Sequence, residues 1–423
     1  MAHLLMIESW VGGAGRILPA AITQLGHRYT FVTRKRGHYL DARTREIHPV
    51  LEHAENVLTT ETNDTPSLIA FLQRQHELLK FDGVVTVCDY YIDTVAQVAL
   101  ALKLPQAFSA NVAAVRRKHL VREALEQAGL PNPIFKTTST WESTRQAAAQ
   151  IGYPLILKPS DLASSAFVRL VKNEAELHDA FSALAQFQTN FREQSREALW
   201  LLEEYMTGEE ISVEACTFQG ETTIIGVTDK SVTGFPYFIE DGHMFPARLT
   251  GEQVEGIHAL VVQALAAVGH DHGISHTEVK LTPDGPRIVE INPRPGGNYI
   301  TELIERVTGI DLLTAQIDLA LGRRPHLIRL HTGIASAAIK FLTPAQGGDV
   351  TALRGVETLD NDLNIARWTM SPVAGARVGA PIDNSCYLGH VVTIDHDGQG
   401  ARRYAEQALS RIELVFDDTS VIV

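Results

Sequence analysis

The residues of this 423-residue chain best suited to chemistry gather between Ser275 and Ile300, in SHTEVKLTPDGPRIVEINPRPGGNYI. Thr282-Pro283-Asp284-Gly285 supplies a tight turn, because proline presets φ and glycine accepts φ > 0. Its flanks read as strands, in which alternate residues share a face. His276, Glu278 and Lys280 then point one way, while Glu290 and Asn292 share a face on the returning strand. Val279, Ile288, Val289 and Ile291 supply apolar packing. Two carboxylates and an amide oxygen brought together repel unless positive charge separates them. Mg²⁺ would satisfy them, since it takes oxygen ligands, commonly one or two carboxylates with phosphate oxygens and water. Arg294 adds a planar cation suited to phosphate or carboxylate. A solvated hairpin with acids facing water is the bland alternative. Against it, E-x-N-x-R directly before Pro295-Gly296-Gly297 is unusually compact chemistry for a surface turn.

The rest of the chain must position this hairpin. Its length implies two to four domains. With 45% hydrophobic and 21% charged residues the composition is that of an ordinary globular protein. No apolar run reaches membrane-spanning length, and the start lacks a basic leader and cleavage site, so no membrane role is expected. A net charge of −13 argues against non-specific nucleic-acid binding. Cys88, Cys216 and Cys386 are isolated, so neither a disulfide framework nor a zinc site is indicated, and the cytoplasm is the expected compartment.

Residues 3–9 read as a buried strand, followed by Gly12, Gly13 and Gly15, a helix to about Leu25 and a strand at Tyr29–Thr33. This β-α-β start predicts a doubly wound sheet. A dinucleotide fingerprint fails, because the third glycine of G-x-G-x-x-G would fall at Leu18 and no acid ends the second strand. An NADP-dependent reductase would rest on Gly12–Gly15 and Arg34 alone. Strand Phe81–Val87 ends at Asp89, which serves equally as a first-turn acid of the next helix. Lys118 and Arg122 share one face of a basic helix, with Leu120, Leu125 and Leu130 toward the core. Lys158 ends the strand that begins near Tyr153. A helical stretch is expected over Glu174–Arg196, then two strands around Met206–Gly208. Phe235–Leu249 shows little regular pattern, and its Glu240 and His243 fit a binding loop or a structural one. Gly251–Val268 is an amphipathic helix, and short strands with Gly/Pro turns fill the last third.

Glu278 followed by EINPRPGG, Glu290 to Gly297, resembles the metal-binding hairpin of the ATP-grasp superfamily. Nearly the whole chain is similar to its carboxylate–amine ligases, bacterial L-amino acid ligases (dipeptide synthetases) above all. That resemblance implies an α/β protein with the ATP-grasp fold: a doubly wound N-terminal α/β domain (1–110), a linker helix and small ATP-lid subdomain (111–208), a central metal and catalytic domain (209–330) and an antiparallel β lobe with helices as a C-terminal cap (331–423). It implies ATP with one or two Mg²⁺, Mn²⁺ being able to substitute, held by Glu278, Glu290 and Asn292. Lys118 and Lys158 would meet the phosphates, with Ser164 and Ser165 of a lid whose usual glycines are replaced by Ala and Ser. The adenine hinge would be Glu203, Glu204, Tyr205 and Met206, although Glu204 fits a solvated acid equally well. Glu210 would take the ribose hydroxyls, with Lys280 beside it. Arg294 would stabilise the transferred phosphoryl group, and His276 would orient the carboxylate or act on the amine. Asp89, Glu240, His243, Gly297 and Asn298 would border the small-molecule carboxylate and amine substrates. The implied reaction joins a carboxylate, such as an amino acid, to an amine through an acyl phosphate, releasing ADP and phosphate. A carboxylase-like or purine-pathway ligase using carboxy phosphate or formate shares the same hairpin, and a non-catalytic nucleotide-binding module would have little use for Arg294. Dimers are common among such ligases.

Overall fold

The computed structural model describes residues 1–40, 46–371 and 373–417; the tail 418–423 of the expected C-terminal lobe lies outside them. Strands β1 (His3–Ile7), β2 (Arg28–Thr33), β3 (Asn56–Thr59) and β4 (Gly83–Val85) form a parallel sheet in the order β3-β2-β1-β4. Every residue of β1 is buried, the continuous apolar run of a parallel strand covered on both faces. The glycine loop that follows is a packing device: a Cβ on Gly15 would lie 1.9 Å from the Trp10 carbonyl oxygen. It lets helix Ala14–Gln24 close against the strand end.

A second sheet comprises β5 (Phe135–Thr138), β6 (Leu155–Pro159), β7 (Arg169–Val171) and β8 (Trp200–Glu204), antiparallel in the order β5-β8-β6-β7. Helices Trp141–Ile151 and Glu174–Gln186 cover it through Ala147, Leu177 and Leu184. The first begins in a capping box, Thr140 and Ser143 satisfying each other's backbone N–H groups.

The remaining strands are β9 (Glu209–Phe218), β10 (Glu221–Thr233), β11 (Ile239–Phe245), β12 (Gly273–Thr282), β13 (Gly285–Asn292), β14 (Ser336–Leu342), β15 (Gly348–Arg354), β16 (Ile365–Met370), β17 (Ala376–Val378), β18 (Gly389–Asp395) and β19 (Glu413–Phe416). Eight of them make one antiparallel sheet, β13-β12-β9-β10-β11-β14-β18-β16, so strands from both sides of residue 330 share it; β17-β15-β19 form a small fourth sheet. Helix Gly251–Ala267 packs behind the hairpin, Val261, Ala264 and Leu265 joining Val279, Ile288 and Ile291 in one core.

The register of this sheet sets out the site as rows. Lys230 lies opposite Glu210, and Glu210 opposite Lys280. Two residues along, Thr228, Ser212, Glu278 and Glu290 line up; two further, Gly226, Glu214, His276 and Asn292 do. Because side chains alternate, the three rows occupy one face.

Three sequence expectations change. The helix expected to run to Arg196 stops at Gln186. Beyond it the Asn190 side-chain oxygen accepts from the N–H groups of Arg192 and Gln194, at 2.9 and 3.1 Å, turning the chain back. The supposedly irregular Phe235–Leu249 contains β11, which pairs with β10 and with β14, a strand nearly a hundred residues on whose contribution no local pattern could announce. Leu120 is 37% exposed, and Val121 carries the inward packing with Leu125.

Candidate active site

A cavity of about 960 Å³ opens where the layers meet. Its walls are the Trp10–Ala14 loop, the lid segment from Lys158 to Val168, the hinge Glu203–Met206, the acid-bearing ends of β12 and β13, and Phe341, Tyr387 and His390 from the C-terminal lobe. Every site residue expected from sequence borders this cavity except His243. That histidine has no accessible surface and stands behind Glu240, its Nε2 3.3 Å from Oε2. It backs the acid instead of lining the pocket.

On the hairpin, Glu278 Oε1 lies 2.8 Å from Lys230 Nζ and 3.4 Å from His276 Nε2. Glu290 Oε1 lies 3.0 Å from Lys118 Nζ. His276 Nδ1 is 2.6 Å from Oε1 of the fully buried Glu214, whose carboxylate also accepts from Ser212 and Thr228. Burial alone would lower the imidazole pKa, but Glu214 and Glu278 raise it to about 9. Two carboxylates thus hold the ring, Glu214 at Nδ1 and Glu278 at Nε2.

Glu278, Glu290 and Asn292 face the cavity with hard oxygen donors only, the ligand chemistry of Mg²⁺. Among the described residues no three His, Cys, Asp or Glu side chains are arranged to hold a metal ion by themselves. Two carboxylates and an amide leave room for phosphate oxygens and water to complete an octahedron, so the donor set fits a nucleotide-bound ion.

Arg294 is fixed from the other end of the molecule. Its Nε donates to Asp89 Oδ1 at 2.6 Å and its Nη1 to the Pro295 carbonyl at 2.9 Å. Asp89 Oδ2 accepts from Trp10 Nε1 at 2.8 Å. Burial works against the Asp89 anion, but Arg294 and Trp10 hold its pKa below the usual value. Each oxygen carries one bond, so Asp89, which borders the cavity, also anchors the arginine.

The nucleotide side shows the same economy. Glu203 is buried, its Oε1 2.6 Å from Arg122 Nε and its Oε2 2.7 Å from Lys158 Nζ. Burial would raise its pKa; the two cations bring it down to about 2. For Lys158, burial lowers the pKa and Glu203 opposes the drop. Glu203 thus holds Lys158 and Arg122 at the cavity wall, which it also lines. Arg122 also donates to the carbonyls of Ile288 and Val289, each at 2.8 Å, and to Asn132 Oδ1 at 3.2 Å. It thus ties the helix Lys118–Gln127, the hinge strand and the metal hairpin together. Lys118 Nζ reaches the Leu162 carbonyl of the lid at 2.7 Å as well as Glu290. Ser164, Ser165 and Phe167 have φ of 61°, 56° and 60°, the left-handed region that glycine occupies freely. The lid therefore keeps a glycine backbone shape without the glycines.

Toward the C-terminal lobe, Asn298 Nδ2 donates to Glu240 Oε2 at 3.1 Å and to the Tyr387 hydroxyl at 3.2 Å. The Tyr387 hydroxyl donates to the Glu240 carbonyl at 2.7 Å, and its ring stacks on Phe341 with centroids 4.2 Å apart. Burial would raise the Glu240 pKa, but Lys230 and His243 lower it to about 2. An anionic carboxylate beside an aromatic wall is suited to an ammonium carried on an organic side chain.

Sequence reasoning missed Lys230, Arg122's buried contacts, Glu214 and Trp10. Glu214 had a usable signal: it lies at even spacing along its strand from Glu210, already suspected.

Comparison with known proteins agrees with this geometry. An ATP-grasp N-terminal domain family matches residues 20–106, an ATP-grasp domain family residues 151–302, and L-amino acid ligase C-terminal domain 2 residues 340–417. The chain belongs to the ATP-grasp superfamily of ligases. Within that class its C-terminal lobe is of the L-amino acid ligase type. The chain is 31% identical to carnosine synthase 1 of Gallus gallus over 225 residues, 50% of this chain and 24% of that one. It is 28% identical to alanine–anticapsin ligase of Bacillus subtilis over 258 residues, 57% of this chain and 54% of the other. The chain thus spans a quarter to about half the length of these two relatives. In fold it is similar to L-amino acid ligase from Bacillus licheniformis, with a TM-score of 0.83, 20% identity and 99% of both chains covered. Phosphoribosylglycinamide synthetase from Anaerococcus prevotii gives 0.71 at 15% identity, covering 98% of this chain and all of that one. No helix among the described residues is long and apolar enough to cross a membrane.

Proposed function

We propose that the protein uses ATP to activate the carboxylate of an amino acid or similar small metabolite as an acyl phosphate, which an amine then attacks to give an amide, ADP and phosphate. The observation that carries this reading is Arg294, held by Asp89 at the meeting point of the acidic hairpin, the lid lysine and the Glu240 pocket. Phosphoryl transfer needs positioning and neutralisation of charge more than covalent chemistry. Glu278, Glu290 and Asn292 would hold Mg²⁺, which would supply charge neutralisation for the phosphates. Lys118 and Lys158 receive the phosphate chain, and Glu210 accepts from vicinal ribose hydroxyls. Arg294 donates to oxygens of the transferred group and then to the oxyanion left when the amine adds. Glu240 pairs with the ammonium of an amino-acid substrate, which a carboxylase working on bicarbonate would not require. A four-part division of the chain at 110, 208 and 330 and a cytoplasmic setting belong to the same reading. Arg294→Ala should leave ADP affinity unchanged and lower kcat by about 10²–10³-fold, read by phosphate release over paired amino acids with mass spectrometry of the amide; undiminished turnover would refute the role.

A further inference from the structure

Lys230 is a buried cation of the site. It is 5% exposed, and its Nζ lies 2.8 Å from Glu278, 3.1 Å from Glu210 and 3.4 Å from Glu240. These carboxylates come from three different strands, β12, β9 and β11, and Lys230 sits on β10, between β9 and β11 in the sheet. None of the three contacts has the alignment of a hydrogen bond. A single ammonium thus sits among three acids without being committed to one, unlike Lys340 on Asp241 or Lys158 on Glu203. Other cations reach only part of the group: Lys280 meets Glu210, and His276 meets Glu278.

We propose that Lys230 is a positioning residue that couples the metal, ribose and amine subsites by sharing one positive charge among Glu278, Glu210 and Glu240. The inference rests on the reading of Glu278 as a metal ligand, Glu210 as the ribose acceptor and Glu240 as the ammonium acceptor. Before ligands arrive, three close carboxylates would repel one another, and Lys230 keeps them in register. A divalent ion at Glu278 is repelled by Lys230 and displaces its pull toward Glu210 and Glu240. An ammonium at Glu240 returns it toward Glu278. Metal and amine binding therefore oppose each other through this lysine unless the phosphates of ATP are present to absorb the surplus charge. Such an arrangement disfavours a loaded metal and amine without nucleotide. The coupling is reciprocal, as any such linkage must be.

The test uses the full chain and Mn²⁺ alone, with free ion followed by its electron paramagnetic resonance signal and no substrate present. Lys230→Met should tighten Mn²⁺ by at least about tenfold, since an ammonium a few ångströms from a divalent ion repels it by that much even in a water-like dielectric. Lys230→Arg keeps the charge and should stay within about threefold of the parent. Glu240→Gln, which leaves the lysine to the other two acids, should weaken Mn²⁺ binding by about threefold or more, and by less in the Lys230→Met background. Unchanged or weaker Mn²⁺ binding in Lys230→Met overturns the proposal. Should that variant not fold, unchanged Mn²⁺ binding in Glu240→Gln overturns it instead. A protein that makes no amide from any amino-acid pair, yet tightens on Mn²⁺ as expected, refutes the proposed reaction and leaves the role of Lys230 standing.

Discussion

Replacing Asp89 by Asn isolates what holds Arg294. The substitution keeps the volume but removes one charge and turns one acceptor into a donor. Asp89 meets two donors, Arg294 Nε at 2.6 Å and Trp10 Nε1 at 2.8 Å, so the new NH₂ must oppose one of them whichever way the amide is turned. A hydrogen bond to a charged group contributes about 1.5–3 kcal/mol net, so Arg294 would lose roughly that much of its anchoring. If the arginine must stay aligned for the transferred phosphoryl group, kcat should fall by about 10–150-fold. The proposed nucleotide contacts at Lys158, Glu210 and Met206 lie on other segments, and KM for ATP should move by less than about threefold. Initial rates of ADP release over a range of ATP concentrations, with circular dichroism to confirm the fold, make the measurement. A variant that folds normally and keeps its kcat would show that Asp89 does not act through Arg294. So would one that raises KM for ATP with kcat intact.

Three further outcomes are expected. Glu203 titrates at about 2 against an ordinary 4.5, so it stabilises the fold by roughly 3 kcal/mol above pH 4.5 and loses that contribution as pH falls through about 2; Glu203→Gln should flatten urea-unfolding midpoints across that window, and an unaltered slope would count against the buried pair. Gly208→Ala should destabilise by about 2 kcal/mol or more, because φ is 127° and the added Cβ would lie 2.0 Å from the Leu281 carbonyl oxygen; a thermal midpoint within 1 °C of the parent would contradict this. Tyr387→Phe removes the hydroxyl that Asn298 and the Glu240 carbonyl share; KM for the amine-bearing substrate should rise by about threefold to tenfold with KM for ATP unmoved, and equal changes in both would place the residue elsewhere in the mechanism.

The hairpin could be read from sequence because its information is local. Turn chemistry placed the reversal at Thr282–Gly285, and the observed register pairs Glu278 with Glu290 through a bulge at Val289 that the regular alternation did not announce. The parallel N-terminal sheet was equally legible, since β1 is buried on both faces and its residues are correspondingly apolar. Whatever depended on a distant partner was not legible. Strand β11 is held between β10 and the distant β14, and Phe235–Leu249 carries no period of its own. Residues 187–197 leave the helix because Arg192 has somewhere better to go. It is 7% exposed, stacked over Tyr39 and Trp10 and bonded to the Ser9 carbonyl in the N-terminal domain.

The same distinction separates the residues of the site. Residue type and spacing revealed which groups face the cavity, but not which of them are already occupied. Asp89 and Glu203 both look like free ligands along the chain, and both prove to be counter-ions whose partners lie 205 and 81 residues away. Such partners are physically required: a carboxylate this deeply buried must find a cation or give up its charge. A sequence that brings acids to the ends of buried strands therefore needs cations from elsewhere, and in this chain Arg294, Arg122, Lys158 and Lys230 meet that need. Groups that remain turned to the cavity, Arg294 among them, can do chemistry because their other faces are spoken for. Catalytic and counter-ion roles are thus assigned by three-dimensional pairing, which is why the reaction class could be inferred from one hairpin while the function of individual acids could not.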